Sequence, residues 1–151
     1  FDSFLVLRGL KTLHLRMERS CANGRKVAHW LRNNPKIEKV YWPGFEDHPG
    51  HDVAARQMDD FGGMIAFEIK GNNLDQAKNL VAATQIFALA ESLGGVESLI
   101  EHPAAMTHAS VPAEIRAELG ISDGFVRLSV GVEDADDLIA DLHQAIEATV
   151  H

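Results

Sequence analysis

The sequence is poor in cysteine, in long apolar runs and in positive charge, and each shortage excludes a class of protein. One cysteine, Cys21, among 151 residues excludes an internal disulfide framework and a cysteine-rich zinc site. No apolar run reaches the length of a transmembrane helix, and no signal-peptide pattern is present. The formal net charge of −8 argues against a nucleic-acid face, which needs clustered Lys and Arg. We therefore expect a cytoplasmic protein that binds neither membranes nor nucleic acids.

Metal and nucleotide sites also lack their usual sequence patterns. The chain has eight histidines, but the close pairs His48–His51 and His102–His108 have no third ligand at a diagnostic spacing. The glycine-rich stretches do not follow the strand–GxGxxG–helix pattern or the Walker pattern. Cys21 lies in a predicted helix, where a packed or surface thiol is more common than a nucleophile. We expect no native metal site and no nucleotide site.

The composition that remains is that of an ordinary globular domain. Apolar residues make up 46% of the chain and charged residues 24%. The length indicates one domain with a real core. The chain begins with Phe1 and enters a helical pattern at once, which is typical of a processed, proteolysed or deliberately cut piece.

A long N-terminal helix is predicted over residues 4–33, because apolar and small residues recur at three- and four-residue spacings. The small members of this stripe, Ser20 and Gly24, permit a close neighbour. Asn33, Asn34 and Pro35 end the helix. The stripe consists of Val6, Leu10, Leu13, Met17, Ser20, Gly24, Val27 and Leu31.

Strands and helices alternate after that helix. Strands are predicted over 37–42, 64–69, 86–90 and 125–130, the third of them buried. Further helices are predicted over 49–58, 73–83 and 112–120 and after Gly131, the last with an inner stripe of Leu138, Leu142, Ile146 and Val150. Residues 94–112 are predicted as mostly loop, with one helical turn near 96–100. The order predicts an α/β fold, a two-layer sandwich in which the long helix leads into a sheet covered by helices.

An arginine inside an apolar strand is the strongest functional signal. Arg127 lies in the segment FVRLSVG, and a buried cation is costly unless an anion meets it. The earlier segment ESLGGVES, residues 91–98, can bring free backbone N–H groups and a hydroxyl to the same place. Together, Arg127 and the segment 91–98 predict a binding site for a small carboxylate. The planar arginine guanidinium binds a carboxylate through two parallel hydrogen bonds. Two other interpretations stay open: Arg127 paired with an internal Asp or Glu, and Ser92 to Gly95 as an ordinary strand-to-loop turn.

Several short motifs occur in a fixed order along the chain. They are Arg8-Gly9-Leu10-Lys11-Thr12-Leu13 with Arg16-Met17, Gly50-His51 with Ala54-Ala55-Arg56-Gln57, Phe61-Gly62-Gly63-Met64, residues 92–98, His102-Pro103-Ala104 with Met106-Thr107-His108, and residues 126–131. Together they resemble the C-terminal domain of the cystathionine γ-synthase/γ-lyase family, pyridoxal phosphate (PLP) enzymes of cysteine and methionine metabolism. Each motif is weak alone, but the ordered set is strong. The resemblance runs almost end to end and covers less than half of such an enzyme.

The resemblance implies a domain organisation and a cofactor. Residues 1–151 would form the small C-terminal, substrate-binding domain of a fold-type I PLP-dependent transferase. The N-terminal PLP-binding domain, with the lysine that forms the imine, would lie outside the chain. None of the six lysines stands in the family's imine-forming context, so we expect no lyase or synthase activity from the chain alone. The full enzyme would be a homo-oligomer, a tetramer.

The resemblance also implies roles for individual residues in binding a small amino-acid substrate. Arg127 would clamp the substrate α-carboxylate. Ser92 and Leu93 would contact the same carboxylate and the surroundings of the cofactor, and Thr107 would help to hold the arginine. Glu91 would face the distal amino group of the substrate, which favours cystathionine, although a carboxylate at a strand end is usually only solvated. No catalytic, cofactor-binding or metal-binding residue is assigned within the chain.

We therefore interpret the chain as the C-terminal part of a PLP-dependent trans-sulfuration enzyme. It would act at Cγ of a sulfur amino acid, as a cystathionine γ-lyase or γ-synthase. The alternative is a stand-alone, non-catalytic binding or interaction domain of the same fold, and a third reading is a proteolytic product still associated with its other half. In each case the first helix is the apolar face most suited to meet the large domain or a second copy.

Overall fold

The computed structural model describes residues 1–151, which form six helices and one five-stranded sheet. The helices are α1 (Asp2–Leu10), α2 (Leu13–Arg32), α3 (His51–Gln57), α4 (Leu74–Ala83), α5 (Ala113–Glu118) and α6 (Ala135–Thr149). The strands are β1 (Ile37–Tyr41), β2 (Met64–Ile69), β3 (Ala88–Leu89), β4 (Leu99–Glu101) and β5 (Phe125–Ser129). The predicted α/β class is confirmed. No helix combines the length and the apolar character needed to cross a bilayer.

The sheet has the strand order β1-β2-β5-β4-β3, with β5 at its centre. Neighbouring strands are antiparallel except for β3 and β4. Side chains alternate between two faces along a strand, so Ile65, Phe67 and Ile69 of β2 point together into the core. Helices α2, α4 and α6 complete the same core. The opposite face of the sheet carries the polar residues discussed below.

The predicted long helix over 4–33 is wrong in one respect, because it is broken at Lys11–Thr12 into α1 and α2. Thr12 leaves helical geometry at φ −115° and ψ 8°, and the Arg16 side chain donates to the carbonyl of Gly9 at 2.8 Å. Gly9 and Thr12 are both poor helix formers, which explains a break at this point. The apolar stripe divides with the helix: Val27 and Leu31 are buried, but no residue of α1 is buried.

The small residues of α2 do admit a close neighbour, as predicted. A Cβ atom added to Gly24 would lie 2.7 Å from the carbonyl oxygen of Gly62 and 2.9 Å from Cα of Gly63. The Ser20 hydroxyl donates to the carbonyl of Val130 at 2.7 Å. The start of β2 and the end of β5 therefore meet α2 where its side chains are smallest.

Two predictions between residues 86 and 101 differ from the structure. The strand predicted over 86–90 is reduced to Ala88 and Leu89, both exposed, because β3 is an edge strand with a partner on one side. The helical turn predicted near 96–100 is absent: residues 96–98 belong to a loop, and strand β4 begins at Leu99, with all three of its residues buried. Strand β4 pairs with β5 across more than twenty residues of sequence, and a local pattern does not report such pairing.

Asp141 on α6 fixes the segment that precedes β3. Its carboxylate accepts from the backbone N–H groups of Gln85, Ile86 and Phe87 at 2.7, 2.8 and 3.0 Å. The Gln144 side chain donates to the same carboxylate at 3.1 Å. Backbone N–H groups outside regular secondary structure need hydrogen-bond partners where they are partly buried, and Asp141 supplies them here.

Candidate functional site

Arg127 lies at the middle of the central strand, on the sheet face away from the helical core. Its cross-strand neighbours are Ala66 on β2 and Glu101 on β4. Residues directly opposite one another project to the same face, so these side chains form one row. The small Ala66 leaves space on one side of the arginine, and a carboxylate stands on the other.

Arg127 and Glu101 form an ion pair. Nη2 of Arg127 lies 2.9 Å from Oε1 of Glu101, with the arginine side chain 28% exposed and the glutamate side chain 2% exposed. Nε and Nη1 of Arg127 make no hydrogen bond within the chain. The pairing of Arg127 with an internal carboxylate, one of the readings left open by the sequence, is thus present. It engages one edge of the guanidinium and leaves the other edge free and reachable.

Thr107 joins this cluster through the glutamate rather than through the arginine. Its hydroxyl lies 3.4 Å from Oε1 of Glu101 and 2.9 Å from Nδ1 of His108. Burial raises the pKa of Glu101, and the opposing effects of Arg127, Thr107 and His108 do not cancel that rise. The negative charge of Glu91 adds to the rise, which places Glu91 within electrostatic reach of the cluster.

The loop formed by residues 91–98 approaches the end of β5. Glu91, Ser92 and Leu93 are exposed, and their side chains form no hydrogen bond or ion pair within the chain. The loop itself is held firmly: the N–H of Gly94 donates to the Ser129 hydroxyl at 3.0 Å. Ser98 donates from its N–H and its hydroxyl to the two carboxylate oxygens of Glu133 at 2.6 and 2.8 Å. The predicted binding residues of this loop are thus presented on an anchored support and open to a ligand.

The contact of Ser92 and Leu93 with the substrate carboxylate and the surroundings of the cofactor stays a prediction. Glu101 is a site residue that the sequence did not reveal. Glu101 follows Leu99-Ile100, a pattern compatible with a short buried strand. An arginine within an apolar strand calls for a nearby anion. Those two signals together favour Glu101 as the anion that pairs with Arg127, but only when β4 is known to lie beside β5.

No lysine of the chain is fully buried in this structure. An imine-forming lysine works in a desolvated pocket, where its pKa falls. Lys36 is half-buried and pairs with Glu147, and the other five lysines are exposed. None of them bonds to Glu101 or Arg127, and no group of three or more His, Cys, Asp or Glu residues is placed to hold a metal ion. The arrangement on this face suits the binding of an anion.

Sequence comparison shows that the chain belongs to the family of Cys/Met metabolism PLP-dependent enzymes, whose model matches residues 1–147. Among individual proteins, it is 58% identical over 146 residues to a cystathionine β-lyase of Coxiella burnetii. It is 56% identical over 147 residues to a cystathionine γ-lyase of Dictyostelium discoideum. It is 51% identical over 146 residues to an L-methionine γ-lyase of Fusobacterium nucleatum subsp. polymorphum.

The three alignments cover 97% of this chain but much less of each relative. The chain spans 38% of the length of the first two relatives and 37% of the third. The resemblance drawn from the ordered motifs is therefore confirmed at the level of the family, and the cofactor that defines the family is PLP.

Proposed function

We propose that this chain is the substrate-binding C-terminal part of a PLP-dependent lyase acting on cystathionine or a related sulfur amino acid. The observation that carries the proposal is the half-paired Arg127, whose free edge faces outward on the central strand. The relatives named above are lyases, which favours elimination over the replacement reaction of a synthase. Because the β-lyase and the γ-lyase are similarly identical to the chain, the substrate class is better supported than the position of the cleaved bond.

Arg127 is the group that receives the substrate α-carboxylate. Glu101 contacts Nη2 alone, so the second N–H of Nη2 can pair with Nε or Nη1 as two parallel donors, the geometry that a carboxylate accepts as a bidentate pair. Charge-assisted hydrogen bonds of this kind contribute about 1.5–3 kcal/mol each. Holding the carboxylate also fixes the direction of the substrate Cα–H bond, which is catalysis by orientation.

The loop of residues 91–98 supplies the second side of the same carboxylate-binding site. Ser92 and Leu93 would meet the carboxylate and the surroundings of the cofactor, since both are exposed and free of internal bonds. Glu91 would face a distal amino group, as cystathionine carries. Thr107 would act on the arginine through Glu101.

The cofactor and its lysine would belong to a part of the protein outside this chain. PLP, when bound there, would supply the electron sink for the reaction. Residues 1–151 would then be a small domain that completes the site by binding and orienting the substrate. The assembled enzyme would be a homo-oligomer, a tetramer. The unburied helix α1 favours this reading over a stand-alone binding domain, because it offers an apolar surface that the chain itself does not cover.

The test is substitution of Arg127 in the full-length protein that carries this chain. Arg127→Ala is expected to lower kcat/KM for cystathionine by about a hundredfold or more, because two charge-assisted bonds to the carboxylate are lost. Arg127→Lys keeps the charge but not the fork and should recover only part of the loss.

Arg19→Ala is the matched control, since Arg19 is exposed on α2 and forms no ion pair. The 151-residue chain alone should show no turnover of cystathionine. Wild-type kcat/KM in the Arg127→Ala enzyme, or turnover by the isolated chain, would contradict the proposal.

A further inference from the structure

Glu101 is the most unusual polar residue in the domain. Its side chain is 2% exposed, and its Oε2 is a buried oxygen without a hydrogen-bond partner. Buried carboxylates are costly, and an unsatisfied oxygen adds to that cost. A residue of this kind calls for a reason other than stability.

We propose that Glu101 is a positioning residue, whose buried carboxylate holds the Arg127 guanidinium with its free edge toward the incoming substrate carboxylate. This inference rests on the proposed role of Arg127 as the substrate clamp. Glu101 itself does not touch the substrate in this arrangement; it acts through the arginine.

The geometry supports a positioning role in two ways. The β4–β5 register places Glu101 directly opposite Arg127, so the sheet fixes the distance between the two backbones. The carboxylate contacts Nη2 only, at 2.9 Å, and leaves Nε and Nη1 without partners. A long arginine side chain otherwise samples many rotamers, and restricting them before the ligand arrives improves binding.

The surroundings of Glu101 favour orientation over simple charge pairing. Thr107 contacts Oε1, the same oxygen that meets Arg127, and His108 contacts Thr107 in turn. The carboxylate is thus braced on the side of the arginine. Arg127 itself remains partly exposed, so a ligand can reach its guanidinium while Glu101 stays buried.

The experiment compares two probes that differ in a carboxylate, L-alanine and ethylamine, in the full-length PLP-loaded protein. Their dissociation constants are followed through the visible absorbance of the bound cofactor, and their ratio measures recognition of the carboxylate. Glu101→Gln is expected to reduce this ratio about tenfold, because an orienting charge-assisted bond is lost. Glu101→Asp should recover part of it, and Glu38→Gln, an exposed strand carboxylate without an ion pair, should leave it unchanged.

The variant Arg127→Lys distinguishes a failure of the positioning role of Glu101 from a failure of the proposed role of Arg127 as the substrate clamp. If Arg127→Lys does not change the ratio, the proposed substrate clamp is wrong. If Arg127→Lys lowers the ratio while Glu101→Gln preserves or raises it, the clamp stands and the positioning role of Glu101 is overturned.

Two further variants complete the test. The double variant Glu101→Gln with Arg127→Lys should lose no more than Arg127→Lys alone, because the two residues act as one unit. If Glu101→Gln fails to fold, Glu101→Asp decides the question: an intermediate ratio supports the inference, and the wild-type ratio overturns it.

Discussion

Two buried carboxylates, Asp141 and Glu101, differ in how many hydrogen-bond donors surround them. Asp141 accepts from three backbone N–H groups and one side-chain amide, whereas Glu101 keeps an oxygen without a partner. Burial tends to raise the pKa of Asp141, but the N–H donors outweigh burial and lower it. In Glu101 burial prevails and the pKa rises. The first residue stabilises a loop, and the second lies beside the candidate site.

Replacing Asp141 by Asn should lower the free energy of unfolding by about 2–3 kcal/mol at pH 7, because charge-assisted bonds to the backbone are lost. The pKa of Asp141 is lower in the folded state, so its contribution is complete above the unfolded value near 3.9. The contribution is lost as the pH falls through the folded pKa. Urea unfolding from pH 7 downward measures this effect.

The difference between wild type and Asp141→Asn should therefore shrink in acid. Asp59→Asn is the control, because Asp59 is exposed and forms no hydrogen bond or ion pair through its side chain. A difference that stays constant from pH 7 to pH 2 would show that the charge of Asp141 is not the source of its stabilising effect.

Helix α2 and the start of β2 meet without side chains between them. Gly24 touches the backbone of Gly62 and Gly63, so the helix lies closer to the segment that leads into β2 than any larger residue permits. Gly9 in α1 has no atom within 4 Å of an added Cβ. The two helical glycines thus differ in packing while sharing the same intrinsic cost to the helix.

Gly24→Ala should destabilise the domain by about 1–3 kcal/mol, because the clash with backbone atoms exceeds the gain in helix propensity. Gly9→Ala, the matched control, should be neutral or stabilise the protein by up to about 1 kcal/mol. Thermal unfolding of both variants, followed by circular dichroism, gives the comparison. Equal changes in Tm would mean that the close approach at Gly24 has no energetic weight.

The elements that could be predicted are those whose pattern is set by their own residues. Asn73 caps α4 as expected, with its side chain accepting from the N–H of Gln76. The stripe of α6 is buried throughout at Leu138, Leu142 and Ile146. Strands β2 and β5 stand where predicted, because apolar runs bounded by glycine mark them.

The elements that could not be predicted depend on distant partners. Strand β4 is paired with β5, and β3 with β4, so the extent of both strands depends on residues distant in sequence. Glu101 could not be predicted for the same reason. The sequence indicates that Arg127 needs an anion, but the identity of that anion depends on the β4–β5 register. The break at Thr12 was missed because the apolar period continues from α1 into α2.

At the scale of the whole molecule, helix α1 stands apart from the core. None of its residues is buried, and Phe4, Leu7 and Leu10 are 62%, 63% and 52% exposed. An apolar surface of this kind is typical of a contact with another protein segment. In the isolated chain, a second copy is the available partner.

The isolated chain should therefore associate with itself as its concentration rises, instead of remaining a monomer of 16.6 kDa. Replacing Leu7 and Leu10 by Ser should reduce this association while preserving the fold, since neither side chain is buried. Ile115→Ser, at an exposed apolar residue on α5, is the control and should not change it. Sedimentation velocity decides, and a monomer at every concentration would contradict the expectation.

The two bonds between Ser98 and Glu133 matter for anyone who wishes to exchange the loop at residues 91–98 between relatives. The Ser98 hydroxyl also accepts from the N–H of Gly131, so one serine links the loop, the end of β5 and the approach to α6. A transplanted loop would keep its shape only if Ser98 and Glu133 were moved together. The transferable unit is thus discontinuous in sequence. An exchange of residues 91–98 alone would leave out Glu133, which holds the loop through Ser98.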